Sequence, residues 1–411
     1  MALIKPFQGY RPPENLAHKI TSPPYDVMTS DEAREIVQNN NDSFLRIIKP
    51  EIDYNSGEEL LGDNLHNHAK NNLLDYIEKG NLVLDTNSCF YLYQITMGNH
   101  TQTGVMAAVS IQEYNQGLIK NHELTPPEKD DDRTRHIDIT NANTGPVFLT
   151  YRNDGKLKNV TLEILNSHPN ISFTADDATF HALWKVENKI QIERLIDYFL
   201  VVPALYIADG HHRAASAARV QKIREEANPN HTGDEPYNYF LSVIFPHDEM
   251  QILDYNRVVK DLNGLTEEQF FESVNANFEI NLIPNPSLPI PENNYSMHIN
   301  GKWYQLEAKA HVKSDDPVEG LEASILQKYL LTPILDIDDP RTNKRIDFVG
   351  GIRGMVELER RCEIDCQVAF ALPPVSIEQL LSVADSEQVM PPKSTWFEPK
   401  LRSGMVVRLL D

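Results

Sequence analysis

The sequence predicts an α+β fold with a mixed sheet, and three observations carry that prediction. Two apolar, β-branched stretches, residues 90–96 and 104–112, flank the polar turn Gly98-Asn99-His100, a pattern typical of paired antiparallel strands. Residues 199–205 are apolar and lead through a polar turn into an alanine-rich stretch from Ala214, which predicts a strand, a turn and a helix. The last third of the chain alternates further helix and strand candidates.

The other elements of the first part of the chain follow from the same periodicities. Near the N-terminus, a short strand is predicted over residues 4–11, followed by a turn at Ser22-Pro23-Pro24-Tyr25-Asp26. Helices are predicted over residues 29–39, 57–79 and 186–199, where apolar side chains recur at helical spacing or a capping residue opens the segment. The further strand candidates are residues 147–151, 161–165, 171–174, 239–245 and, as the expected partner of the last, 251–257.

A change of composition divides the chain near residue 262. Beyond it come two Pro-rich stretches, Ile283-Pro284-Asn285-Pro286 and Pro289-Ile290-Pro291. The sequence therefore predicts two parts, residues 1–262 and 263–411, consistent with a chain longer than a single core usually supports. In the second part, strands are predicted over 295–299, 303–308, 363–371 and 405–409, and helices over 321–330 and 377–384.

Charge and cysteine content exclude several classes of protein. The chain has 38 Lys and Arg against 60 Asp and Glu, a formal charge of −22, which repels nucleic acid and anionic lipid. Neither a transmembrane stretch nor a signal peptide is recognisable, so we expect a cytoplasmic protein. The three cysteines, Cys89, Cys362 and Cys366, form no disulfide framework, and their spacing disfavours structural zinc.

The most informative segment is Tyr206-Ile207-Ala208-Asp209-Gly210-His211-His212-Arg213. It delivers an Asp, two His and an Arg to the start of a helix, where free backbone N–H groups and the helix dipole favour an anion such as phosphate. Arg213 adds a guanidinium that can bind phosphate or carboxylate in a bidentate manner. A purely structural reading of Asp209 and Gly210 is a helix cap and a tight turn, but two adjacent His followed by Arg favour a ligand site.

Three further clusters are candidates for binding. His122 and Glu123 precede Lys129, Asp132 and Arg133, a set that could supply a base and cations or could be a solvated charged loop. Asn256-Arg257 lies at the end of a predicted strand, and Lys393-Ser394-Thr395 lies in a Pro-flanked loop that could face phosphate as a lid. The motifs of serine hydrolases, zinc proteases, Rossmann enzymes and protein kinases are missing from the sequence.

Several ordered motifs resemble the family named domain of unknown function family 1015, across essentially the whole chain. They are Ile4-Lys5-Pro6-Phe7, Pro23-Pro24-Tyr25-Asp26-Val27, His122-Glu123-Leu124-Thr125, Asp209-Gly210-His211-His212-Arg213, Tyr255-Asn256-Arg257-Val258-Val259 and Met390-Pro391-Pro392-Lys393-Ser394-Thr395. The strand, D-G-x-H-R turn and helix also resemble, more distantly, the ParB/sulfiredoxin superfamily, which includes free-serine kinases. This resemblance implies a ParB/sulfiredoxin-like core with a large insertion at about residues 45–200 and an α+β C-terminal subdomain.

The same resemblance implies a phosphotransferase that makes O-phosphoserine from L-serine with ATP, ADP or pyrophosphate, and Mg²⁺ as the expected cofactor. The alternative is a non-catalytic regulator that binds a nucleotide or phosphometabolite. The expected partner is a small-molecule substrate, and the sequence is compatible with a homodimer. The resemblance places Asp209 to Arg213 at the phosphate turn, so we expect Asp209, His211, His212 and Arg213 to be catalytic, with Asp209 also a metal ligand. The match does not identify the carboxylate base, for which Glu123 and Asp26 are the candidates. We expect the substrate and phosphate ligands to be Gly210, His122, Lys129, Arg133, Asn256, Arg257, Lys393, Ser394 and Thr395.

Overall fold

A computed structural model describes residues 2–54, 62–123, 127–291 and 293–411, with only the backbone described at 127–130. Contacts divide the chain into two compact units. Unit one comprises Met1–Asn121, Thr125–Met250 and Pro399–Asp411, and unit two comprises His122–Leu124 and Gln251–Glu398. The sequence placed a single division near residue 262, whereas the contacts place divisions after Met250 and after Glu398.

Helices and strands alternate through both units. The α-helices of the described residues run over Glu14–Ile20, Ser30–Asn39, Leu45–Ile48, Asp63–Glu78, Ile111–Asn115, Pro127–Thr140, Lys158–Leu165, Lys189–Val201, His211–Ala227, Glu267–Asn275, Glu322–Leu326, Thr332–Leu335, Gly354–Ile364 and Ile377–Asp385. The strands run over Ile4–Lys5, Tyr10–Arg11, Val83–Leu84, Phe90–Met97, His100–Ser110, Ile119–Lys120, Ala142–Asn143, Val147–Tyr151, Ile171–Thr174, Phe180–Val186, Leu205–Asp209, Tyr239–Pro246, Gln251–Leu253, Tyr255–Val259, Phe278–Ile283, Asn294–Ile299, Lys302–Ala308, Ile346–Gly350, Val368–Ala371, Trp396–Glu398 and Arg408–Leu409.

Unit one is built around a nine-stranded sheet of the described residues. Most neighbours are antiparallel, but Leu205–Asp209 runs parallel to Ile119–Lys120, and Tyr239–Pro246 runs parallel to Val147–Tyr151. The sheet is therefore mixed, which confirms the predicted α+β fold. Its core is apolar and buried, with members such as Leu149, Ile207 and Phe240 at 0–1% exposure.

The predicted hairpin is confirmed, while two predicted strand segments are wrong. Phe90–Met97 pairs antiparallel with His100–Ser110. Residues 161–165 belong instead to the helix Lys158–Leu165, because Val160 and Ile164 are buried at helical spacing. Residues 199–201 end the helix Lys189–Val201, which Asn188 caps by accepting hydrogen bonds from two backbone N–H groups.

Unit two contains a six-stranded sheet, and two more expectations fail there. Tyr255–Val259 pairs with Ile346–Gly350 and Val368–Ala371, and Gln251–Leu253 pairs with Trp396–Glu398, so neither pairs with the strand that starts at Tyr239. Residues 363–371 were expected to be one strand. The first two of these residues end the helix Gly354–Ile364, and only Val368–Ala371 is extended.

The predicted helix over residues 57–79 corresponds to Asp63–Glu78, and its expected first residues lie outside the described part of the chain. Among the described residues, no helix has both the length and the apolar character needed to cross a membrane.

Candidate functional site

The Asp-Gly-His-His-Arg turn joins a buried strand to a long helix, as predicted. The turn strand, Leu205–Asp209, ends at Gly210, and the turn helix, His211–Ala227, begins at the next residue. Gly210 has a φ of +92° and a ψ of 30°, a left-handed conformation that glycine adopts without a Cβ penalty. Gly210 has no side chain, so it offers no side-chain acceptor to the first N–H groups of the turn helix.

Arg213 fills the space that Gly210 leaves. A Cβ built on Gly210 would lie 2.9 Å from Nε and 3.0 Å from Cζ of Arg213, closer than real Cβ contacts. A Cβ on Gly145 would lie 3.9 Å from Arg213 Nη1, and that Nη1 donates a hydrogen bond to the carbonyl of Pro146. The guanidinium therefore lies in a slot lined by backbone, with only 12% of its side chain exposed.

Asp209 is shared by two cations. Lys400 Nζ lies 3.1 Å from Asp209 Oδ2, and Arg213 Nη2 lies 3.8 Å from Asp209 Oδ1. Burial alone would raise the pKa of the Asp209 carboxyl, but the charges of Lys400 and Arg213 outweigh burial and hold that pKa well below its usual range. Asp209 is therefore a permanent carboxylate that orients two positive groups.

The two histidines of the turn differ in exposure. His211 is buried and His212 is half-buried. Burial lowers the pKa of His211 to about 4; Asp209 opposes this shift, while His212 and Arg213 reinforce it. At neutral pH the His211 imidazole is uncharged, so it can form a hydrogen bond to a ligand but adds no positive charge.

Asp26, Tyr25 and Arg133 lie near the same turn. Arg133 Cζ stacks 4.3 Å from the centroid of the Tyr25 ring. Burial and the charge of Asp26 raise the pKa of Tyr25, against the effect of Arg133 and Arg213. Asp26 is exposed, and its charge also favours the protonated form of Arg213. The structure thus brings Asp26 and Arg133 into the neighbourhood of the turn.

A small cavity lies beside this cluster. Its lining includes Tyr25, Arg133, His136, Gly145, Arg213 and Ser403. Its volume of about 30 Å³ has room for about two groups the size of a water molecule. Two arginines therefore border a small cavity whose lining is otherwise mainly apolar.

Asn256 and Arg257 are tied into the sheet of unit two. The Asn256 side chain donates to the Asp254 carboxylate and accepts from the backbone N–H of Leu372 at 3.0 Å. Arg257 donates to the carbonyl of Tyr255, and burial lowers the pKa of its guanidinium to about 10. Both side chains are buried, and a ligand role for either one stays a prediction.

The remaining predicted ligands also belong to unit two or lie outside the described side chains. Ser394 Oγ donates to the carbonyl of Pro391 at 2.7 Å, and Lys393 Nζ lies 5.6 Å from the centroid of the Tyr255 ring. The carbonyl of His122 accepts from the backbone N–H of Met390 at 2.8 Å. Glu123 and Thr395 are in the same unit. The Lys129 side chain lies outside the described part of the chain.

Lys400 is the contact that sequence reasoning missed. It lies 191 residues from Asp209 in the chain, and no local pattern brings the two together. Its presence also bears on the predicted metal ligand, because two cations beside the Asp209 carboxylate repel a divalent cation. The donors around Asp209 therefore do not fit Mg²⁺. Within the described residues, no group of three or more His, Cys, Asp or Glu side chains could hold a metal ion.

Comparisons with known proteins give one family and several distant structures. No curated protein matches the chain significantly. A free serine kinase in complex with AMP is 11% identical, with 72% of this chain and 86% of that chain covered and a TM-score of 0.34. SbnI with a C-terminal truncation from Staphylococcus aureus is 11% identical, with 71% and 82% covered and a TM-score of 0.36. A conserved hypothetical protein from Pyrococcus furiosus is 13% identical, with 73% and 93% covered and a TM-score of 0.33.

TM-scores of this size are too low to transfer a function from these proteins. The family comparison is of another kind, because it matches most of the chain. Residues 4–324 of the 411 match the family described as "Protein of unknown function (DUF1015)". The match includes the Asp209 to Arg213 turn and confirms the resemblance drawn from the sequence motifs. The chain belongs to the DUF1015 family.

Proposed function

We propose that this protein is a phosphotransferase that moves a phosphoryl group from ATP, ADP or pyrophosphate to the hydroxyl of a small hydroxy amino acid, with L-serine as the first acceptor. The observation that carries the proposal is the buried guanidinium of Arg213, held against Gly210 at the start of the turn helix. A fixed cation at a helix N-terminus is suited to a phosphoryl group, which spreads negative charge over three oxygens.

The turn supports phosphoryl transfer because that reaction needs positioning and charge more than covalent help. The N–H groups that open the turn helix and the Arg213 guanidinium offer donors to phosphate oxygens. Gly210 lets the backbone approach the phosphate closely. Neutral His211 would add a hydrogen bond rather than a charge. Asp209 would keep Arg213 oriented through its ion pair.

In the proposed reaction, the acceptor hydroxyl oxygen attacks the terminal phosphorus of the donor and forms a new P–O bond. The bond from that phosphorus to the bridging oxygen breaks, and the electron pair stays with the leaving ADP, AMP or phosphate. The hydroxyl proton passes to a carboxylate base. Asp26, which lies in the same unit as the turn, is the candidate base, because its charge acts on Arg213. Replacing it by its amide, Asp26→Asn, tests this role by the loss of turnover.

The small cavity supports the choice of an acidic acceptor. Arg133 and Arg213 both border it, and its size suits a carboxylate rather than a nucleotide. An α-carboxylate held there would bring a β-hydroxyl towards the turn. We therefore expect acceptors that carry a carboxylate, such as L-serine, to react better than ethanolamine, which has none.

The test is to incubate the protein with L-serine, Mg²⁺ and ATP, ADP or pyrophosphate in turn, and to follow O-phosphoserine by ³¹P NMR. Ethanolamine in place of serine is the matched acceptor control. Formation of O-phosphoserine with at least one donor supports the proposal. Binding of all three donors without any phosphorylated product rejects it in favour of a regulator that binds phosphate compounds without turnover.

A further inference from the structure

The last part of unit one is a segment that returns from unit two. This return segment, Pro399–Asp411, lies along unit one through backbone pairing at three places: Ser403 with Ser22, Val407 with Tyr10, and Arg408–Leu409 with Ala142–Asn143. These pairings fix its path.

Two arginine side chains hold the return segment further. Arg402 Nη2 donates to the Asp177 carboxylate at 2.9 Å, and Arg408 Nη1 donates to the carbonyl of Tyr239 at 3.0 Å. The backbone N–H of Leu410 donates to the carbonyl of Asn141 at 3.0 Å. Lys400 stands at the start of this fixed segment, so its position beside the turn follows from many bonds rather than from its own ion pair alone.

The Lys400 ammonium and the Arg213 guanidinium approach different oxygens of the same carboxylate. The exposed fractions of the three side chains are 18% for Lys400, 12% for Arg213 and 24% for Asp209. One carboxylate thus faces two cations in a place with little water, beside the positive end of a helix. Asp26 adds a negative charge nearby, but its side chain is exposed and water screens it. The Lys400 ammonium, the Arg213 guanidinium and the start of the turn helix therefore meet at one carboxylate.

We propose that Lys400 is a catalytic residue of this site, whose ammonium contacts the terminal phosphoryl group of the donor. This inference rests on the proposed phosphotransfer. As the bond between phosphorus and the bridging oxygen breaks and the bond to the acceptor oxygen forms, Lys400 neutralises charge on the phosphoryl oxygens and keeps all of its protons. Asp209 is then a positioning residue, because one oxygen of its carboxylate holds Lys400 and the other holds Arg213.

Lys400 lies outside the region that the family comparison matches. The family match ends at residue 324, whereas Lys400 lies 76 positions beyond it (400 − 324). The second cation therefore comes from a part of the chain that the matched region does not include. A fragment limited to the matched residues would keep the Asp209 to Arg213 turn and lose the ammonium.

The experiment compares Lys400→Met and Lys400→Ala with Lys156→Ala in the full chain. Lys156 is a matched control, because it also pairs with an aspartate in unit one, at 2.6 Å, but its side chain is 71% exposed. Two readouts are taken: the dissociation constant for pyrophosphate by calorimetry, and kcat for O-phosphoserine formation. We expect both Lys400 variants to lose about 10²-fold to 10³-fold in kcat and about tenfold in pyrophosphate affinity, and Lys156→Ala to match the wild type.

Chemical rescue separates catalysis from structure. Ethylammonium added to Lys400→Ala should restore part of kcat, and it should do nothing for the wild type. Wild-type kcat and pyrophosphate affinity in folded Lys400→Met overturn the inference. If the wild type makes no phosphoserine but Lys400→Met still loses pyrophosphate binding, the phosphate contact stands and the proposed reaction fails. If the wild type does not bind pyrophosphate at all, both are rejected.

Discussion

The guanidinium of Arg213 lies against the backbone of Gly210, so close that a Cβ at position 210 would come within 2.9 Å of Arg213 Nε. The Arg213 guanidinium therefore occupies the space that a side chain at position 210 would need. The left-handed backbone at Gly210 ends the turn strand, and the missing side chain makes room for the group that faces the helix start.

Gly210→Ala should both destabilise the protein and weaken phosphate binding. The positive φ of +92° costs a residue with a Cβ about 1–2 kcal/mol, and the added Cβ forces the Arg213 guanidinium to shift from its place at the helix start. The free energy of unfolding in urea measures the first effect, and pyrophosphate titration measures the second.

The matched control for this substitution is Gly155→Ala. Gly155 has a φ of +79°, and a Cβ there would meet nothing within 4 Å, so only the conformational cost applies. An equal loss of stability in the two variants, with pyrophosphate affinity unchanged in Gly210→Ala, would contradict the packing of Arg213 on Gly210.

Acid should destabilise unit one through a buried histidine. Burial and the charge of Arg402 lower the pKa of His181 from 6.5 to about 3, against the effect of Asp177. Arg402 Nε lies 3.3 Å from His181 Nε2, and Tyr93 Oη lies 2.8 Å from His181 Nδ1. The folded ring stays neutral while the unfolded chain takes up a proton below about pH 6.5. The contribution of His181 to the free energy of unfolding is therefore fully present above that pH and is lost as the pH falls towards 3.

The measurement is the free energy of unfolding at pH 7, 5.5 and 4.5. We expect the free energy of unfolding of His181→Gln to change less steeply with pH than that of the wild type, by about 1.4 kcal/mol per pH unit between about pH 6 and 4. The same substitution at an exposed histidine, His168→Gln, is measured beside it as the matched variant. A His181→Gln slope equal to that of the wild type would show that His181 titrates alike in both states.

Asp85 holds a buried ionic cluster away from the turn. Its carboxylate accepts from Tyr91 Oη at 2.7 Å and Arg11 Nε at 3.1 Å, and pairs with Lys185 Nζ at 3.1 Å, with only 4% of its side chain exposed. Asp85→Ala leaves Arg11 without its carboxylate, whereas Lys185 keeps Glu187 at 3.1 Å, so we expect a loss of about 3 kcal/mol in the free energy of unfolding.

An exposed ion pair gives the comparison for Asp85. Asp75 pairs with Lys79 at 2.7 Å, and the two side chains are 47% and 63% exposed, so Asp75→Ala should cost less than about 1 kcal/mol. Losses of similar size in the two aspartate variants would mean that the Asp85 cluster is solvated in solution.

The parts of the fold that the sequence predicted correctly are those that local periodicity determines. The patterns that predict the hairpin and the turn helix lie within short stretches of sequence. Gly210 marks the turn because a glycine adopts its left-handed conformation readily. The failures at residues 161–165 and 199–201 are apolar runs that periodicity alone could not assign, and in both the buried face is helical. The predicted pairing of residues 251–257 with 239–245 was wrong for a different reason, because strand pairing depends on contacts between residues far apart in the chain.

The candidate site was predictable only where it is contiguous. Asp209, Gly210 and Arg213 could be found together because five residues carry them to one helix end. Lys400 could not, because tertiary contacts alone bring the return segment to Asp209. The sequence also assigned Asn256 and Arg257 to a ligand from their polarity; in the structure Asn256 accepts from the backbone N–H of Leu372 and Arg257 donates to the carbonyl of Tyr255 in its own strand, so the ligand role stays a prediction. Polarity at the end of a strand does not distinguish these two uses.

The measurement that tests the central claim most directly is the affinity of Arg213→Ala for pyrophosphate and ADP, compared with Arg219→Ala. Both arginines lie on the turn helix, but Arg219 is 43% exposed and pairs with exposed Asp131. If the turn binds phosphate, folded Arg213→Ala loses at least about tenfold in affinity for both ligands, and Arg219→Ala binds them like the wild type. Wild-type affinity in Arg213→Ala would contradict a phosphate site at this turn.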